Sequence, residues 1–67
     1  MGTTENPEVG DVIKITVHPD DNEGRLGRIS SIKGDFYGIK FAVKPGTEAT
    51  EFNYKRSEFE WHSADAR

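Results

Sequence analysis

Between residues 12 and 62, short runs place apolar side chains at every second position, and no stretch sustains the 3.6-residue period of a helix. In Val12–His18, Ile13, Ile15 and Val17 fall on one face, with Lys14, Thr16 and His18 on the other. In Phe36–Val43, Tyr37, Ile39, Phe41 and Val43 oppose Phe36, Gly38, Lys40 and Ala42. Breakers separate these runs. Pro19 has no N–H for a ladder, residues 20–24 form a polar loop, Lys33-Gly34-Asp35 is a tight turn, and Lys44–Glu48 contains a Pro-Gly pair. The pattern predicts strands over 12–18, 25–32, 36–43, 49–54 and 59–62, with one tight turn at 55–58.

Short strands at this spacing bury little unless their sheet coils on itself, and the second run holds a device for coiling. Gly24-Arg25-Leu26-Gly27-Arg28-Ile29 places two glycines around a small apolar residue, and a glycine inside a strand marks a bend or a close approach. With the bend at Gly27, the expected inward set is Ile13, Ile15, Val17, Leu26, Ile29, Tyr37, Ile39, Phe41, Phe52, Phe59 and Trp61. Alanine at Trp61 or Phe41 is expected to unfold the domain. The fold class is all-β, a five-stranded small barrel.

A chain of 67 residues holds one small domain. Residues 1–8 are polar and lack periodicity, so a disordered lead-in is expected, then a barrel over 9–62 and a disordered tail over 63–67. Without cysteine, disulfides and thiolate metal clusters are excluded. No apolar run approaches the length of a membrane span, and the N-terminus lacks the layout of a secretory signal, so a cytoplasmic protein with no membrane contact is expected.

The net charge of −3 is unevenly placed. Residues 1–11 carry three acids and no base, residues 12–44 six bases against four acids, and residues 45–67 three bases against five acids. The basic centre contains the candidate partner-binding set: Arg25, Arg28, Lys33, Phe36 and Lys40. If Tyr37 points inward, Phe36 points outward beside the hairpin turn, between Lys33 and Lys40. An exposed aromatic among bases can stack on a nucleotide or anchor a protein. The other reading of Phe36 is a plug folded over the barrel's end.

Catalytic and metal signatures are not found. His18 and His62 have no partners at ligand spacing, and Asp20, Asp21 and Glu23 lack the alternation and terminal glutamate of a calcium loop. Ser30 and Ser31 lie in a strand without a nucleophile elbow. The expectation is a non-catalytic chain without cofactor or metal.

Gly10-Asp11 before an apolar strand, then Gly24-x-x-Gly27-x-Ile29-x-x-Ile32, is similar to the KOW motif and to the wider Src-homology-3-like small barrels. Tyr37-x-Ile39-x-Phe41 and Ser57-Glu58-Phe59-Glu60 also resemble that fold, and the likeness spans residues 9–62. The resemblance implies a barrel that binds RNA or protein surfaces. KOW domains that bind nucleic acid are commonly basic, whereas this chain is acidic. A weaker resemblance, through His18-Pro19-Asp20-Asp21 and Ser57–Glu60, is to ferredoxin-docking barrel subunits of photosynthetic electron-transfer complexes. Plasmid-encoded dihydrofolate reductases share this barrel, but their Val-Gln-Ile-Tyr stretch is replaced here by Glu51-Phe52-Asn53-Tyr54. The expected function is an accessory subunit docking on a larger protein complex, with a KOW-type nucleic-acid module as the alternative. Its oligomeric state is not legible from the pattern.

Overall fold

A computed structural model describes residues 2–64. Alternating segments between glycine and proline breakers form five antiparallel strands: β1 (Val12–Ile15), β2 (Leu26–Lys33), β3 (Phe36–Phe41), β4 (Glu51–Lys55) and β5 (Phe59–Ser63). One 3₁₀ turn, Arg56–Glu58, joins β4 to β5. The order across the sheet is β4-β3-β2-β1-β5. A meander thus runs from β1 to β4, and the last strand returns to pair with the first. The hairpin turn between β2 and β3 depends on Gly34, whose φ of 60° lies in the left-handed region.

The sheet coils strongly. Tyr37 on β3 and Phe59 on β5 meet edge to face with ring centroids 5.2 Å apart. In a flat sheet, strands three places apart would be about 14 Å from each other. Coiling gathers Ile13, Ile15, Ile29, Ile39, Phe41, Tyr54 and Phe59 into one buried cluster drawn from all five strands, with Val17 and Tyr37 packed against it. The hydrogen-bond ladder itself stays open, with β4 and β5 as its two edges.

The bend expected at Gly27 lies elsewhere. β2 pairs regularly with β3 from Gly27 to Ile29, and the register shifts between Ile29 and Ser31. Gly27 faces inward opposite Ile13. A Cβ there would stand 2.6 Å from Ile39 Cγ2 and 2.9 Å from Phe41 Cε1, so its glycine makes room for those two side chains.

Besides Val17 and Tyr37, three members of the expected inward set lie outside the buried core cluster. Leu26 pairs with Lys14 on the outer face and is 49% exposed, because strand alternation gives the inward place to Gly27. Phe52 lies opposite buried Ile39 but on an edge strand, and it stays 41% exposed while touching Phe41 at 5.7 Å between centroids. Trp61, opposite Ile13, is half-buried outside the core cluster, and its indole N–H donates to Asp11 Oδ2 at 3.1 Å. The first strand also stops at Ile15, because the N–H groups of Thr16 and Val17 both turn to the Glu58 carbonyl.

Gly2 and Pro7, within the stretch expected as a lead-in, are buried, and the Arg56 guanidinium donates to the Thr4 carbonyl. At the other end β5 includes Ser63, while Met1 and residues 65–67 of the expected tails lie outside the described residues. Among the described residues, no helix is long and apolar enough to cross a membrane.

Candidate interaction surface on the outer face of the sheet

Alternation on β3 turns Phe36, Gly38 and Lys40 away from the core, and the ladders extend each into a row across three strands. Lys33, Phe36 and Lys55 form the first row, Ser31, Gly38 and Asn53 the second, and Arg28, Lys40 and Glu51 the third. Phe36 stands on this outer face, 44% exposed, with the Lys55 ammonium 6.0 Å from its ring centroid. It does not cover an end of the core.

Glu51 sits at the centre of the surface. Its carboxylate lies over Gly38 and accepts from Ser30 Oγ at 2.5 Å, Ser31 Oγ at 3.0 Å and Lys33 Nζ at 3.2 Å. The two hydroxyls, then the lysine, hold its pKa down at about 2 against an ordinary 4.5. Such a carboxylate is a fixed negative charge at neutral pH and a feeble proton acceptor. The register irregularity in β2 brings both serines within reach of one carboxylate.

Of the five residues singled out from sequence, Arg28, Lys33, Phe36 and Lys40 share this outer face. The Arg28 guanidinium donates to the Gly10 carbonyl at 2.7 Å, fastening the surface to the start of β1. Arg25 lies apart. Its guanidinium rests 4.6 Å from the centroid of the core residue Phe41 and donates to Asn22 Oδ1 at 2.9 Å. The sequence reading missed Ser30, Ser31, Glu51, Asn53 and Lys55. For the last three a signal was present, because an inward Tyr54 obliges its neighbours on β4 to alternate outward.

A second polar network ties the loop before β2 to the edge of the sheet. Asn22, 7% exposed, donates to Tyr54 Oη at 3.0 Å, and that hydroxyl donates to Asp20 Oδ2 at 2.9 Å. Burial first, and then the Asp20 carboxylate, raises the Tyr54 pKa above 10.0. His18 is exposed and pairs with Glu23 at 2.7 Å. Among the described residues, no cluster of three or more His, Cys, Asp or Glu side chains is placed to hold a metal ion. No protein-family profile matches the chain, and no curated protein or solved structure matches it.

Proposed function

We propose that this chain is a small barrel of the Src-homology-3-like kind acting as a non-catalytic docking module, with the outer face of β2–β4 as its contact surface for a larger protein complex. The coiled five-stranded sheet, and the 3₁₀ turn that returns β5 to β1, support the barrel reading. One observation carries the functional reading: an exposed phenylalanine stands between two lysines in a row that the ladder holds in register. An aromatic anchor rimmed by charge is the composition of a protein contact.

Electrostatics favour a protein over a nucleic acid. Phosphate contacts need cations free to replace condensed counterions. Here Lys33 is paired with Glu51, the Lys55 ammonium lies over the Phe36 ring, and Glu51 sets an ionised carboxylate amid the cations. Titration with single-stranded RNA at low and moderate salt separates the two readings. The docking module shows no saturable binding at either salt. A KOW-type module binds at low salt and weakens steeply as salt rises. In parallel, the proteins that co-purify with the chain should be lost with Phe36→Ser while the melting temperature is retained.

A further inference from the structure

The two edges of the sheet are finished differently. On β5 the Phe59 carbonyl accepts from Arg56 Nη1 at 2.9 Å, and the same guanidinium reaches the Thr4 carbonyl. On β4 the Lys55 N–H turns outward to Glu58 Oε1 at 2.7 Å. Alternation then sends the backbone groups of Asn53 and Glu51 outward as well, with those of Phe52 and Tyr54 facing β3. The β2 ladder requires the same: Ile29 exchanges its bonds with the β1 side, so Arg28 pairs with Lys40, and Ile39 with Phe52. Beyond the Lys55 N–H, the edge of β4 has no partner among the described residues.

We infer that β4 pairs antiparallel with β4 of a second copy, about a two-fold axis through Asn53. The sequence Glu51-Phe52-Asn53-Tyr54-Lys55 is self-complementary in that register. Asn53 exchanges N–H and carbonyl bonds with its equivalent. Each Glu51 N–H donates to the other copy's Lys55 carbonyl, leaving the Lys55 N–H with Glu58. On the outer face Glu51 lies opposite a lysine at both ends, and opposite charges in directly facing positions are favourable. On the inner face Phe52, 41% exposed, comes against the other copy's Tyr54. The pairing is isologous, so it closes at two copies instead of propagating. It also sets two Lys33–Phe36–Lys55 rows on one continuous sheet, although the inference does not depend on the function proposed for that row.

A single added strand buries less than a standard interface, so self-association is expected on the order of 0.1–1 mM. Sedimentation of the wild-type chain over that range should show the mass rising toward the dimer. Lys55→Glu, which sets two glutamates opposite each other at both ends, should weaken association by about tenfold with an unchanged far-ultraviolet spectrum. Because the chain has no cysteine, Asn53→Cys gives a single thiol on the axis. Facing residues in a hydrogen-bonded pair have Cα atoms about 5.5 Å apart, within disulfide range. Mild oxidation should link Asn53→Cys into covalent dimers while Lys14→Cys, on the outer face of β1, stays monomeric. A wild-type chain that remains monomeric throughout, or equal cross-linking at positions 53 and 14, would overturn the pairing.

Discussion

The carboxylate of Glu51 occupies the space that a side chain at Gly38 would fill. An ideal Cβ on Gly38 would lie 2.5 Å from Glu51 Cδ and 2.5 Å from Ser31 Oγ. The missing side chain lets the edge strand β4 be fastened across β3 to β2. Gly38→Ala should expel the carboxylate from its hydroxyl donors. Overpacking of this kind costs typically about 1–3 kcal/mol, which in a domain of this size lowers the melting temperature by at least about 4 °C. A thermal melt unchanged by Gly38→Ala would show that Glu51 is not held there.

The same carboxylate gives the fold an acid dependence. Its folded pKa of about 2 lies below the ordinary 4.5, so its contribution to stability is complete above pH 4.5 and fades as pH falls toward 2. Denaturant titrations across that window should show wild type losing stability more steeply than Glu51→Gln. Parallel acid limbs in the two proteins would contradict the assignment.

Residues of the core and its margin should separate clearly. A domain of this length has a total stability of about 3–10 kcal/mol, and removing a buried phenylalanine ring costs about 3–5 kcal/mol. Phe41→Ala should therefore abolish the cooperative melt. Gly27→Ala, which drives a methyl group into Ile39 and Phe41, should destabilise strongly as well. Trp61→Ala removes a half-buried ring from outside the core cluster, so it should lower the melting temperature and leave a folded protein. A loss of fold with Trp61→Ala equal to that with Phe41→Ala would place Trp61 in the core after all.

Tyr54 joins the buried Asn22 to Asp20, so Tyr54→Phe keeps the ring and leaves the Asn22 amide without its acceptor. Leaving a buried donor unsatisfied costs about 1–3 kcal/mol. The wild-type hydroxyl has a raised pKa, so its contribution is complete below pH 10 and is lost as pH climbs through the folded value. Tyr54→Phe should lower stability at neutral pH and lessen the alkaline loss. Equal stability of the two proteins at neutral pH would contradict the network.

Alternation made the strands and most of the core legible, because a period of two assigns faces without knowledge of partners. It located Ile13, Ile15, Ile39, Phe41 and the outward Phe36. It failed where the inward position belongs to a residue with no side chain: at Gly27, alternation and hydrophobicity disagree, and Leu26 took the place by apolarity alone. Phe52 and Trp61 have inward register, but their position at the margin of a small coiled sheet leaves them part-exposed, and that depends on what covers them. The Glu51 cluster was hidden because Ser30 and Ser31 meet it only through a register shift, and pairings across twenty residues of sequence leave no local mark.

The central claim is that the outer face of β2–β4, with Phe36 in the row beside the hairpin turn, meets a protein. Replacing Phe36 with photo-reactive benzoylphenylalanine in cells that encode this chain, then irradiating them, tests that contact where it would occur. The account predicts a discrete protein adduct from position 36, absent when the same group is placed at Lys14. No adduct at position 36, or one that a nuclease removes, would contradict it.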